Sequence, residues 1–239
     1  PGLFLTEGNL ALALAAQGDH EAALEMQRSV LEHATELLGD AHPHIGKTLG
    51  NISLSLEALG RHQEALETAE RALAISESAY GPEDLRVAGA LTALARAYSS
   101  NERIDDANAA FERALAIKKK VLGEKDAGYA GSLHNYALHL SSHGHYEQAR
   151  ARFNDALAAY EAVGGPDSEM LIYPLHGLAN NAHRERRLAE ARPYLERAHE
   201  LATTKGINNS ASRAVNFALA DLLMTPTNPS DVDRRRSLE

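Results

Sequence analysis

Residues 43–84 read PHIGKTLGNISLSLEALGRHQEALETAERALAISESAYGPED, and this 42-residue pattern returns along most of the chain. One alanine and one leucine of the pattern recur every 42 residues, at Ala23, Ala65, Ala107, Ala149 and Ala191, and at Leu49, Leu91, Leu133 and Leu175. A period of about 20–50 residues indicates stacked structural units, because one such unit cannot bury its apolar side alone.

Each unit contains two amphipathic segments separated by a short break. In the first segment Leu49, Ile52 and Leu56 lie three and four positions apart, as on one face of an α-helix. Gly60 interrupts the pattern and Gly81 ends the second segment, which suits glycine at a helix end. The other units place Leu10, Leu94, Tyr136 and Leu178 at the core position of Ile52. The sequence therefore predicts five antiparallel helix hairpins.

The composition narrows the class of protein. Hydrophobic residues make up 44% of the chain, aromatic residues 5%, and the net charge is −9. An acidic chain argues against a nucleic-acid or anionic-membrane surface, which would be basic. Cysteine is absent, so no disulfide or thiolate metal site can form, and a reducing cytoplasm fits. No apolar run reaches transmembrane length. We expect a cytoplasmic protein without a membrane or nucleic-acid partner.

The repeat resembles a known family. Small and apolar residues at these positions are similar to the tetratricopeptide repeat (TPR), whose usual unit has about 34 residues. The 42-residue unit, with the link GDAHPHI at 39–45 and the helix starts LGNIS at 49–53 and LHNYA at 133–137, resembles kinesin light chain and its bacterial relatives. The resemblance implies an all-α, right-handed superhelical solenoid of antiparallel hairpins, and a bacterial source is favoured by the alanine and arginine content.

The repeat also predicts the organisation of the chain. We expect one TPR-like domain over residues 1–224, with repeats at about 5–42, 43–84, 85–126, 127–168 and 169–206 and a sixth-repeat or capping helix at 208–224. Residues 225–239 should be a disordered tail whose end resembles a cloning remnant, and both ends suggest a domain cut from a longer protein. Glu7 and Gln27 stand where other units carry leucine and phenylalanine, which is typical of an N-terminal cap with a wettable outer face.

A stack of hairpins has a concave wall formed by the first helix of each unit, and this groove is the predicted binding site. The candidate groove residues on these helices are Asn9, Lys47, Asn51, Leu54, Arg96, His134, Asn135, Leu138, His176, Asn180 and Arg184. Asn9, Asn51 and Asn135 occupy one repeat position, and their amides can bond a peptide backbone whatever its side chains. Ala93 and Gly177 interrupt this ladder. Alternatively, the asparagines bond neighbouring helices or water.

The other groove residues suggest what the ligand contains. Leu54 and Leu138 would offer apolar pockets between the polar rungs. Lys47, Arg96 and Arg184 could hold an acidic side chain or a carboxyl terminus, because a cation strengthens a hydrogen bond to carboxylate.

Signals for catalysis are weak. His42 and His44, or His139 with His143 and His145, have metal-ligand spacings, but no His-Glu-x-x-His motif occurs. No phosphate-binding glycine loop or nucleophile elbow occurs either. We therefore expect no enzyme activity, no catalytic residue, no metal and no cofactor.

Two functional hypotheses follow. The first is a protein–protein interaction module or scaffold that binds a partner peptide, helix or neighbouring domain in the groove. The alternative is a regulatory sensor whose superhelix responds to a small peptide or ligand and switches an attached output domain. A structural role through end-to-end assembly is also open, although the polar first unit favours a monomer.

Overall fold

We analysed a computed structural model, which describes the backbone of residues 2–224 and the side chains of residues 7–224. Within this range the chain forms eleven α-helices, one 3-10 turn and no strand. The helices are α1 (Gly2–Gln17), α2 (His20–Leu38), α3 (Pro43–Ala58), α4 (His62–Tyr80), α5 (Leu85–Ser100), α6 (Ile104–Leu122), α7 (Ala127–Ser142), α8 (Tyr146–Gly164), α9 (Ile172–Arg184), α10 (Leu188–Thr204) and α11 (Ser210–Met224), and the 3-10 turn is Glu169–Leu171.

The described part of the chain divides into two compact units, the first ending at residue 121 and the second beginning at residue 122. In the first unit α1 packs on α2, α2 on α3, α3 on α4 and α4 on α5. In the second, α7 packs on α8, α8 on α9, α9 on α10 and α10 on α11. Packing between sequence neighbours confirms the all-α helical-repeat fold. The single domain of 1–224 stays a prediction, and the tail at 225–239 lies outside the described residues.

The recurring alanines lie where two helices touch. Ala65 and its counterparts one repeat earlier and later are fully buried. The hydroxyl of Ser53 on α3 donates a hydrogen bond to the carbonyl oxygen of Ala65 on α4 over 2.8 Å. Ile52 and Leu56 close this contact against Leu24 of the preceding hairpin. The small side chain therefore sets the spacing of the hairpin.

The turn inside each hairpin repeats one hydrogen-bond pattern. The backbone N–H of a residue in the turn donates a hydrogen bond to the carbonyl oxygen five residues earlier, at the last core position of the first helix. Arg61 donates in this way to Leu56 over 2.9 Å. This is the Schellman arrangement, which requires a left-handed residue just before the returning N–H. Gly60 supplies it with a φ of 74°, but Glu102 and Arg186 adopt φ values of 59° and 61°. A residue other than glycine is strained there by about 1–2 kcal/mol.

The link between hairpins carries its own stop and start signals. Gly39 and Gly81 leave the preceding helices with φ near 80°. Three residues after each of these glycines, a polar side chain caps the next helix. The imidazole of His42 accepts from the backbone of His44 over 3.1 Å, and the carboxylate of Asp84 accepts from Arg86 over 2.9 Å. Such caps satisfy backbone donors that would otherwise be orphaned.

Two expectations about the first hairpin, formed by α1 and α2, are wrong. Leu10 is 51% exposed and not part of the core. Its counterpart Ile52 is covered by Leu24 from the preceding hairpin, and α1 has no preceding hairpin among the described residues. Gln27 does not contribute a wettable surface, because only 3% of it is exposed.

Candidate functional site

The first unit contains a pocket of about 730 Å³ between α3 and α5, which we call the α3–α5 pocket. The end of α4 closes one side of it. Its walls contain three of the predicted groove residues, Lys47, Asn51 and Leu54. The complete lining is His42, Pro43, His44, Gly46, Lys47, Gly50, Asn51, Leu54, Ser76, Tyr80, Arg86, Gly89, Ala90 and Ala93.

Two glycines, which have no side chain, keep the α3–α5 pocket open. A Cβ placed on Gly50 or Gly89 would meet no atom within 4 Å, so both glycines border empty space. Gly46 differs, since its Cβ would lie 3.1 Å from Ile75. Gly46 therefore lets α3 and α4 approach, whereas Gly50 and Gly89 leave room for a ligand.

Lys47 supplies the uncompensated positive charge of the pocket. It is exposed and forms no ion pair within the described part of the chain. Burial lowers the pKa of His44, and the nearby Lys47 and His42 lower it further. A neutral imidazole at His44 leaves Lys47 to attract an anion.

Arg86, a second cation at the pocket, is already neutralised. Its guanidinium lies 3.3 Å above the ring centre of Tyr80 and donates two hydrogen bonds to the carboxylate of Asp84, over 2.7 and 2.8 Å. These bonds lower the pKa of Asp84 to about 2. Arg86 and Tyr80 therefore form a rigid rim, and the charge for binding comes from Lys47.

The asparagine ladder is present on the surface but varies in depth. Asn9 is exposed, and Asn51 and Asn135 are half-buried. None of these three amides bonds another group within the described residues, so their hydrogen-bonding capacity is available. Ala93 and Gly177, which break the ladder, are buried.

The cationic candidates are not equivalent to Lys47. Arg96 bonds the carboxylate of Glu57 on α3 over 3.0 Å, so an anionic ligand would compete with this pair. Arg184 is exposed at the end of α9 and has no ion-pair partner among the described residues. The apolar candidates Leu54 and Leu138 are exposed, as a binding surface needs.

In the second unit, aromatic rings fill the position that is open at Gly50. His134 occupies that repeat position on α7, with its ring centre 5.5 Å from Phe153 and 6.3 Å from Tyr173. Burial, with repulsion from His176, lowers the pKa of His134 to about 4. Asn180 bonds His176 over 3.2 Å between Nδ2 and Nε2. His134, His176 and Asn180 therefore belong to one polar-aromatic cluster with Phe153 and Tyr173.

Tyr80, Arg86 and Gly89 are among the lining residues of the α3–α5 pocket that were not predicted as groove residues. The sequence could have indicated the open space at Gly50 and Gly89, because both are glycines on successive first helices. It could not have indicated Tyr80, because this residue comes from the end of a second helix. In the described range, no helix has the length and apolarity to span a bilayer, and no cluster of three or more metal-ligating side chains occurs.

Comparison with solved structures agrees with the helical-repeat fold. Among curated proteins, none is significantly similar to the chain. A solved protein of Podosopora anserina with nearly identical, kinesin-light-chain TPR-like repeats is 23% identical, with a TM-score of 0.67 over 86% of this chain and 98% of that one. BtubC from P. vanneervenii is 23% identical, with a TM-score of 0.66 over 84% and 80%.

Two further structures contain bound partners. A Rap protein complexed with Competence and Sporulation Factor is 16% identical, with a TM-score of 0.71 over 84% of this chain and 54% of that one. NprR in complex with its cognate peptide NprX is 19% identical, with a TM-score of 0.65 over 92% and 59%. The tetratricopeptide repeat family itself matches residues 3–78, 45–120, 86–162 and 128–204. Because these matches span most of the chain, the protein belongs to the tetratricopeptide repeat family.

Proposed function

We propose that this chain is a protein–protein interaction module that binds a segment of a partner protein, or a peptide, on the surface of its first helices. The observation that supports this most directly is the α3–α5 pocket, which combines three groove residues predicted from the repeat: Lys47, Asn51 and Leu54. TPR proteins typically serve as binding scaffolds and not as enzymes, which is consistent with a non-catalytic role.

The pocket favours a ligand with two chemical features. Its glycines, alanines and Leu54 suit an apolar side chain, since burying such a group yields most of the binding energy. Lys47 at the edge suits a carboxylate, and the unbonded amide of Asn51 suits the ligand backbone. An extended segment with an apolar residue next to an acidic one satisfies all three.

A regulatory sensor is the second candidate. Its support is the fold shared with Rap and NprR, which were solved with a competence factor and a cognate peptide. This chain spans about half of Rap and three-fifths of NprR, so an output domain would be a separate part of the protein. A cytoplasmic monomer is the setting that we propose for either function.

Selection from a library of random dodecapeptides displayed on phage tests the binding function. The intact chain should enrich peptides that carry an apolar residue beside an acidic one. Lys47→Ala should retain the apolar preference and lose the acidic one, because only the charged contact is removed. The matched control is Lys125→Ala, an exposed lysine outside the pocket, which should select like the wild type.

Calorimetry with the most enriched dodecapeptide measures the size of the effect. Lys47→Ala should weaken binding at least about tenfold, as expected for a charge-assisted hydrogen bond. Asn51→Ala with Asn135→Ala should also weaken it, without lowering the unfolding temperature, since neither amide bonds another described residue. Asn154→Ala, at an exposed position on α8, is the control. Absence of any enriched peptide, or equal binding by all variants, would refute the proposal.

A further inference from the structure

Gln27 on α2 is a buried polar side chain without a hydrogen-bond partner for its oxygen. Only 3% of the residue is exposed, and Oε1 bonds no group within the part of the chain whose side chains are described. A buried acceptor in this condition destabilises a fold, because it has lost water and gained nothing. Its presence therefore calls for a reason other than packing.

The repeat indicates that packing does not require an amide at this position. The corresponding residues of the later second helices are Ala69, Phe111, Phe153 and Leu195, which are all apolar and buried. The fold accommodates apolar side chains of several sizes there. Only the first hairpin places an amide at the position, and it does so next to the predicted groove.

The surroundings of Gln27 form a small cavity of about 30 Å³ on the other side of α3 from the α3–α5 pocket. Asn9, Thr48 and Asn51 line it, and Gly8 leaves it open because a Cβ there would meet nothing within 4 Å. His44, Lys47 and Asn51 line both the cavity and the pocket. A ligand that crosses Lys47 and Asn51 therefore reaches both.

We propose that Gln27, with Asn9 and Asn51, forms an amide-recognition subsite that reads an amide N–H of the bound segment. This inference rests on the proposed peptide-binding function and adds a specificity element to it. The N–H donor comes from an asparagine or glutamine side chain of the ligand or from its backbone. In either case it donates to Oε1 of Gln27 and supplies the hydrogen-bond partner that this oxygen lacks among the described residues.

Gln27→Met tests the subsite, because methionine has nearly the same length and shape but cannot accept the hydrogen bond. With the dodecapeptide most enriched by the wild type as the probe, two changes distinguish the donors. One replaces each asparagine or glutamine of the peptide by leucine, and the other methylates single backbone nitrogens. One of these two peptide changes should weaken binding of the peptide to the wild-type protein about tenfold. The same change should not alter binding of the peptide to the Gln27→Met variant. Equal effects on both proteins would overturn the subsite.

Measuring the unfolding temperature tests the role of Gln27 without a ligand. Because Gln27→Met removes an unsatisfied buried acceptor, the unfolding temperature of this variant should exceed that of the wild type by about 2–4 °C. Gln148→Met, an exposed position on α8, should leave it unchanged. A lower temperature for Gln27→Met would identify Gln27 as a structural residue and refute the inference. If the wild type still enriches apolar-acidic peptides in that case, the proposed function survives without the subsite; if no peptide is enriched, both fail.

Discussion

Phe153 of α8 lies directly against the backbone of Gly177 on α9, so that a Cβ built on Gly177 would sit 2.3 Å from Cε1 of the ring. This contact explains why the asparagine ladder ends at residue 177. At Gly177, the repeat position that carries Asn51 on α3 and Asn135 on α7 is filled by the ring of Phe153.

Gly177→Ala should destabilise the protein by about 1–2 kcal/mol. Overpacking a fully buried ring costs about 1–3 kcal/mol, and the better helix propensity of alanine offsets only part of it. Gly89→Ala is the matched control, since its Cβ enters open space and should stabilise α5 by about 0.5–1 kcal/mol. Urea unfolding followed by circular dichroism measures both. A gain in stability for Gly177→Ala would contradict the contact.

Ala65→Leu should destabilise the hairpin of α3 and α4 by at least about 1–3 kcal/mol. Ala65 is fully buried, and three added carbons must displace either Ser53 or the helix axis. Ala74→Leu, at an exposed position of the same helix, should change the unfolding midpoint very little. Equal midpoints for the two variants would show that the spacing of the hairpin does not depend on this alanine.

Gly50→His should abolish binding of the selected dodecapeptides without unfolding the protein. It copies into α3 the residue that the second unit has at His134, and the imidazole would occupy the α3–α5 pocket. Helix stability should not fall, because glycine is the poorer helix former. Calorimetry and circular dichroism check the two effects. Retained affinity would mean that peptides bind elsewhere.

The second unit should lose stability in acid. The pKa of His134 is about 4 in the folded chain, against 6.5 for the unperturbed group. As pH falls below about 6.5 the unfolded chain takes up the proton first, so stability present above that pH is lost progressively down to about pH 4. The loss from this group is about 3 kcal/mol, because one unit of pKa corresponds to about 1.4 kcal/mol.

His134→Phe isolates this contribution. Phenylalanine retains a ring against Phe153 and Tyr173 but has no proton to bind, and it removes the repulsion from His176. Urea midpoints measured from pH 7 to pH 4 should fall less steeply for the variant than for the wild type. His33→Phe, at an exposed position on α2, should retain the wild-type slope. Parallel curves for His134→Phe and the wild type would count against the burial of the imidazole.

Much of the fold was predictable because its signals are local. Gly60 and Gly81 end helices through a backbone conformation that each residue adopts by itself. Asp84 caps the helix that begins at the next residue. The 42-residue spacing of Ala65 and its counterparts requires only that hairpins stack in register. Leu10 was assigned wrongly to the core, since its burial depends on a neighbouring hairpin and not on its own helix.

In the candidate site, too, the features set by a single helix were predictable and those set by neighbouring helices were not. Sequence alone placed Lys47, Asn51 and Leu54 on one helical surface, because a helix brings residues three and four apart together. Only the tertiary structure decided that Arg96 is held by Glu57, that Gln27 is buried beside Asn51, and that Phe153 fills the space at Gly177. These partners lie 24 to 39 residues apart in the printed sequence, on different helices. Helical periodicity determines which way a side chain faces, but the side chains of the adjacent helix determine whether a pocket, an ion pair or a packed ring is found there.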